Sequence, residues 1–255
     1  MQKIFIGWNK MDKRTDFMNT FVDCLTMDET IEEIILAIKE KKCVHNVGIN
    51  ADKINLMQKD EKLVKIINSS EIINADGVSI VLAGKFLGKN IPERVAGIDV
   101  VDKLIEICAR ENFKPYFFGT KQHILEKMID HYRTLYPELK IAGYRSGYFE
   151  DSESISIAEN IRQSQADIVF VGFPSPQKEY WIDKYMKYMN VPIALGVGGS
   201  FDVISGELKR APKWMQKSGL EWFYRFLQEP RRLFKRYLVG NFKFCLMVVK
   251  ARFKN

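Results

Sequence analysis

Two short runs, Ile168-Val169-Phe170-Val171 and Pro192-Ile193-Ala194-Leu195, contain no charged or hydrogen-bonding side chain. Successive side chains of a β-strand point to opposite faces, so an unbroken apolar run of this length needs apolar cover on both sides. Each run ends in a polar loop: Gly172-Phe173-Pro174-Ser175-Pro176-Gln177-Lys178-Glu179 after the first, Gly196-Val197-Gly198-Gly199-Ser200-Phe201-Asp202 after the second. The same device recurs upstream. Strands are expected at 44–49, 71–75, 115–118, 139–143, 167–171 and 191–195, separated by helices at 26–41, after 50, after 78, and at 99–110, 123–136, 152–165 and 177–188. The first helix opens on a capping box, Thr26-Met27-Asp28-Glu29, followed by Ile31, Ile34, Ile35 and Ile38 at helical spacing. Short apolar strands alternating with helices of this length indicate an α/β fold with a mostly parallel sheet covered by helices on both faces.

Three segments follow from the same pattern. Residues 1–20 are polar and aperiodic and read as an N-terminal extension, with order beginning at Thr26. Residues 21–208 form the core, in which 88–97, with Pro92, Arg94 and Gly97, reads as a loop. The alternation stops after Gly206, and 209–255 reads as a basic amphipathic appendage. That tail holds thirteen Lys or Arg against two Glu, a charge of +11 in a chain of net +7, which leaves −4 for residues 1–208. Such asymmetry points to an anionic partner for the tail alone, either a membrane surface or a polymer. Cys24, Cys43, Cys108 and Cys245 form no CxxC pair and sit among apolar neighbours, so they read as reduced core residues of a cytoplasmic protein. No signal-peptide h-region and no membrane-spanning run are evident, so any work at a membrane is expected from its surface.

Ligands of parallel α/β sheets bind beyond the carboxyl ends of the strands. That rule gathers Asn50, Asp76, Gly119, Thr120, residues 172–177 and residues 196–202 on one rim. Asp76, between an apolar strand end and Gly77, reads either as a general base or as a helix N-cap. Asn50 has the same two readings, and Gln177 either caps its helix or bonds a sugar or phosphate. Gly196, Gly198 and Gly199 offer bare backbone N–H groups suited to a diphosphate, or serve as a turn. Walker, GxSxG and HExxH signatures are absent, and His123 and His131 fall within one expected helix, which disfavours a histidine triad or a metal site. Trp181, Trp214 and Trp222 read as core. Arg225 and Arg232 lie seven apart with Arg236 four further on, though Pro230 interrupts their helix; a guanidinium cluster suits phosphate.

Taken in order, the loops after 172 and 196, Arg210-Ala211-Pro212-Lys213-Trp214, Gly219-Leu220-Glu221-Trp222 and Glu229-Pro230-Arg231-Arg232 resemble the WecG/TagA/CpsF glycosyltransferases. The resemblance spans roughly residues 21–239. It implies a Rossmann-like core whose C-terminal appendage docks on the membrane and completes the active site. It also implies a metal-independent, inverting enzyme of bacterial cell-surface polymer assembly, such as teichoic acid or exopolysaccharide. The sugar, typically N-acetylmannosamine, passes from UDP to a polyprenyl-diphosphate-linked acceptor sugar at the inner face of the plasma membrane. UDP-hexose, UDP-glucuronic acid and UDP-N-acetylmannosaminuronic acid are the alternative donors.

Carried onto this sequence, the family's general base falls on Asp76, its sugar-site residues on Asn50 and Gln177, and its appendage arginines on Arg225 and Arg232. The third arginine position falls on Lys235, with Arg236 beside it. Asp76 is then expected to deprotonate an acceptor hydroxyl while Arg225 and Arg232 balance the leaving diphosphate. One departure stands out: where the family often carries Thr-x-Asn, this chain has Gly48-Ile49-Asn50. No cofactor is expected, and a homo-oligomer is compatible. A nucleic-acid-binding protein would explain the basic tail but leaves the two loops unexplained. A dinucleotide-dependent oxidoreductase fits the core but lacks the third glycine of its fingerprint, Phe201 standing in that place.

Overall fold

The structure, a computed structural model, describes residues 13–253. Strands β1 (Arg14–Phe17) and β2 (Thr20–Asp23) form an antiparallel hairpin. Helix α1 (Met27–Lys39) follows with its capping box formed, then β3 (Val44–Ile49), α2 (Ala51–Met57), α3 (Glu61–Ser69), β4 (Ile72–Ala75) and α4 (Val78–Phe86). Helix α5 (Gly97–Glu111), β5 (Pro115–Gly119), α6 (Gln122–Leu135), β6 (Gly143–Arg145) and α7 (Ser154–Gln163) come next. The core closes with β7 (Ile168–Gly172), α8 (Gln177–Met189), β8 (Ile193–Gly196) and α9 (Ser200–Ile204).

Six strands form one sheet in the order β4-β3-β8-β7-β5-β6, with every pairing parallel. Strand β5 shows why the runs must be apolar throughout. Phe117 packs with α1, α5 and α6 on one face, while Tyr116 and Phe118 pack with α7 and α8 on the other. On that second face, near the β3–β4 edge, Val47, Ile49 and Ile73 pack with α2 and α3.

Several expectations are corrected. Part of the segment read as an extension is folded: Phe17 and Val22 of the hairpin are 1% and 0% exposed and join the α2–α3 cluster. Arg14 and Asp23 hold it to the sheet, since Arg14 Nη2 donates to the Glu71 carbonyl at 2.9 Å and Ile73 N–H donates to Asp23 Oδ2 at 2.6 Å. Residues 1–12 lie outside the described residues. The strand expected at 139–143 forms instead at Gly143–Arg145, because Leu139 is drawn into the core cluster around α5 and α6. Cys108 is buried, but Cys43 and Cys245 are exposed. Trp181 is core, whereas Trp214 is 65% exposed.

The appendage comprises α10 (Lys213–Lys217), α11 (Glu221–Gln228), α12 (Pro230–Phe234), a π-helical turn (Lys235–Val239) and α13 (Gly240–Arg252). Pro230 takes the first position of α12, where its missing N–H costs nothing. The appendage is anchored twice. At its start Arg210 pairs with Asp99 and, at 3.4 Å, with Glu221, which Arg94 also meets at 2.6 Å. At its end α13 folds back on α2: Phe244 and Val248 enter the cluster of Ile54 and Met57, and Asn55 Nδ2 donates to the Gly240 carbonyl at 2.8 Å. Among the described residues no helix is long and apolar enough to cross a membrane.

Candidate active site

The carboxyl ends of β3, β4, β7 and β8 open into a cleft of about 1090 Å³, roofed by α11 and α12. Asn50, Asp76, Thr120, Gln177, Gly196, Gly198, Gly199, Arg225, Arg232 and Arg236 all line it. Two expected residues do not. Lys235 lies in the π-helical turn away from the lining, and Gly119 sits behind it with φ of 148° against the Gly172 backbone. Thr120 beside it donates its hydroxyl to Asp202 Oδ1 at 2.8 Å.

Asp76 is not the cap of α4; Gly77 holds that position and provides no side-chain cap. Its backbone N–H donates to the Ile49 carbonyl at 2.9 Å, which extends the β3–β4 ladder by one residue and turns the side chain to the cleft. Both carboxylate oxygens then accept hydrogen bonds: Oδ1 from Gly97 N–H at 2.9 Å, at the start of α5, and Oδ2 from Asn50 Nδ2 at 3.3 Å. Asn50 is also the N-cap of α2, its Oδ1 accepting from Lys53 N–H at 3.0 Å. Gly48 makes this arrangement feasible. A Cβ there would fall 2.8 Å from Asp76 Cβ and displace the carboxylate.

A buried charge cluster beneath the cleft is a feature that sequence patterns do not mark. Lys53 Nζ lies 2.7 Å from Glu179 Oε1, and Lys178 Nζ lies 3.3 Å from the same oxygen, with all three side chains under 10% exposed. Ser175 donates to Glu179 Oε1 at 3.0 Å and accepts from Lys178 Nζ at 2.6 Å, while Lys53 also donates to the Gly48 carbonyl at 2.6 Å. Burial would raise the Glu179 carboxyl, but Lys53 and Lys178 outweigh it and hold it at about 2. Burial, reinforced by Lys53, brings Lys178 down to about 8. Burial likewise lowers His45, behind the cluster on β3, to about 4, so its ring is neutral at pH 7. The amides of Asn46 and Asn74 are also buried on the cleft floor, and Asn46 Nδ2 and Asn74 Oδ1 find no partner among the described residues. Each is available to a bound group or to water.

On the roof, Arg225 Nη2 approaches the Gly199 carbonyl at 3.5 Å, and Glu229 lies within ion-pair distance of both Arg225 and Arg232. Arg236 pairs with Asp52 at 2.9 Å, which spans the cleft mouth from roof to core. Trp222 lines the cleft and is not a core residue. The chamber thus sets a positioned carboxylate opposite several guanidinium groups, which suits proton removal beside an anionic leaving group. At about 1090 Å³ it exceeds the upper end of ordinary small-ligand pockets, roughly 1,000 Å³.

A family model described as glycosyl transferase, WecG/TagA/CpsF family, matches residues 15–255. A protein named N-acetylglucosaminyldiphosphoundecaprenol N-acetyl-beta-D-mannosaminyltransferase from Bacillus subtilis (strain 168) is 34% identical over 192 residues, covering 75% of this chain and 73% of the relative. A relative of the same name from Bacillus spizizenii (strain ATCC 23059 / NRRL B-14472 / W23) is 35% identical over 167 residues, covering 66% of this chain and 64% of the relative.

Proposed function

This chain belongs to the WecG/TagA/CpsF family of glycosyltransferases, and we propose that its cleft moves N-acetylmannosamine from UDP to the N-acetylglucosamine of a polyprenyl-diphosphate-linked acceptor in cell-surface polymer synthesis. The carrying observation is that Asp76, held at both carboxylate oxygens, shares one chamber with Arg225, Arg232 and Arg236. Asp76 takes the proton of the acceptor hydroxyl, commonly O4 in this family. The hydroxyl oxygen bonds to the donor's anomeric carbon from the face opposite UDP as the bond to the diphosphate breaks, and the configuration inverts. Arg225 and Arg232 receive the charge that develops on the departing diphosphate, the role a metal ion plays elsewhere.

The acceptor's lipid gives the appendage its second task. Phe223, Leu227, Phe234, Leu238, Phe242 and Leu246 are exposed among its basic side chains, a composition suited to lying on an anionic leaflet. The enzyme accordingly works as a peripheral protein on the inner face of the plasma membrane.

Gly48 leaves the space beside Asp76 without the hydroxyl usual in the family, which makes donor identity the point to test. UDP release would be followed across a panel of UDP-sugars with a short-chain polyprenyl-diphosphate-N-acetylglucosamine. Release with UDP-N-acetylmannosamine alone, and only when acceptor is present, is expected. Turnover with a UDP-hexose or UDP-hexuronic acid instead would overturn the donor assignment.

A further inference from the structure

Resting on the sugar-nucleotide reading above, we propose that Lys178 is a diphosphate-binding residue of the core, so that the donor's leaving group is held from the floor of the cleft as well as from the appendage. Four observations meet at this side chain. Lys53 and Lys178 share the single carboxylate of Glu179, which leaves one positive charge uncompensated inside the cluster. Lys178 lines the cleft. Its ammonium group donates to Ser175 Oγ at 2.6 Å and lies 3.3 Å from Glu179 Oε1, and no further acceptor among the described residues engages it.

The glycine-rich turn, finally, is shaped around it. A Cβ on Gly196 would fall 2.9 Å from Lys178 Cδ and Cε, and one on Gly198 would fall 3.9 Å from Nζ. The absence of a side chain at Gly196 therefore lets the lysine stem run beneath the turn, and the distance from Gly198 places its ammonium group beside the turn's backbone. A compact ammonium charge beside glycine backbone is the chemistry that recognises phosphate oxygens. Arg225 reaches the same turn from above, at the Gly199 carbonyl. A diphosphate seated there would lie between the two cations.

The groups that set the charge of Lys178 are Lys53 on α2, Glu179 on its own helix and Asp76 after β4, while His45 on β3, lowered to about 4, stays neutral behind them. Desolvation and Lys53 lower it to about 8, with Glu179 and Asp76 opposing. Above that pH the free enzyme carries the lysine largely neutral, and an arriving diphosphate restores its proton. Binding of UDP should therefore take up protons from solution near pH 8.5, whereas binding of uridine, which brings no phosphate, should not.

The test is calorimetry on the full chain at pH 8.5, in two buffers of different ionisation enthalpy, with UDP and with uridine. Wild-type protein is expected to show proton uptake with UDP only. Lys178→Gln should bind UDP about tenfold or more weakly, the loss expected for one charge-assisted hydrogen bond, with uridine affinity unchanged and proton uptake gone. Because Glu179 keeps Lys53 at 2.7 Å, this variant retains a neutralised cluster. Lys178→Arg should recover most of the UDP affinity without proton uptake, since guanidinium does not titrate there. UDP affinity unchanged in Lys178→Gln, or proton uptake persisting in it, would overturn the assignment while leaving the transferase reading intact. Wild-type protein that binds no UDP at all would overturn both.

Discussion

The floor and the roof of the cleft are built on opposite plans. On the floor, Lys53, Lys178 and Glu179 are under 10% exposed and bonded to one another, and Asp76 is fixed through both oxygens. On the roof, the Arg232 and Arg236 side chains are 57% and 44% exposed, and Phe234 and Phe242 stand 55% and 66% in solvent. A buried charge keeps its geometry because leaving its partner is costly; an exposed one is free to exchange a protein carboxylate for a ligand's phosphate. The floor is thus suited to placing the reacting atoms, and the roof to meeting a substrate that arrives on a membrane. Their substitutions should accordingly fail in different ways.

Among substitutions that leave Asp76 in place, the largest effect is expected on the roof. Arg225→Ala combined with Arg232→Ala should lower turnover by about a hundredfold to a thousandfold, on the scale of other transition-state charge donors, while the melting temperature barely moves. A matching loss of stability would mean that these arginines are structural and would erase the contrast. Deleting the whole appendage is a poorer test than it looks from the charge pattern, because Phe244 and Val248 of α13 fill the core around Ile54 and Met57.

On the floor, Glu179→Gln should act through stability. It strands two buried ammonium groups and should cost about 3–5 kcal/mol, measured by urea unfolding. The acid limb gives the sign. The Glu179 carboxyl sits at about 2 in the folded protein against an ordinary 4.5, so its contribution is fully present above pH 4.5 and is lost as pH falls toward 2. The variant should show a flatter decline across that window; an unchanged slope would remove Glu179 from the ledger of acid stability. Smallest is the exposed apolar surface proposed to meet lipid. Phe234→Ser, Phe242→Ser and Leu246→Ser together should abolish sedimentation with anionic vesicles while changing stability by only about 0.5 kcal/mol per site. Retained vesicle binding would place the membrane surface elsewhere.

The same contrast explains what could be read from the residues in order. Parallel strands gather their carboxyl ends by topology, so Asn50, Asp76, Gln177 and the glycine turns could be placed on one rim from strand positions alone. Family motifs carried the arginines, including Arg225 and Arg232, to the roof. Lys53 had no such marker, and Glu179, though inside the loop motif after 172, had no readable partner: they are charged residues on two helices, 126 positions apart, and only the stacking of α2 beside α8 makes them a pair. The hairpin at Arg14–Asp23 escaped for a related reason. Its strands have four residues each, and the burial of Arg14 and Asp23 depends on partners at Ser70, Glu71 and Ile73. Arg210 and Glu221, within two of the most diagnostic motifs, turn out to clamp the appendage to Asp99 and Arg94.

The proposed role of Asp76 as the base in a sugar-nucleotide cleft is the most decisive point to test. The direct measurement compares Asp76→Asn with wild type in UDP release from UDP-N-acetylmannosamine, with UDP affinity determined on the same preparations. Turnover should fall by about a hundredfold to ten-thousandfold, the usual worth of a general base, while UDP affinity stays within about twofold of wild type, a change of no more than about 0.4 kcal/mol. Turnover close to wild type with an Asn at this position would contradict it.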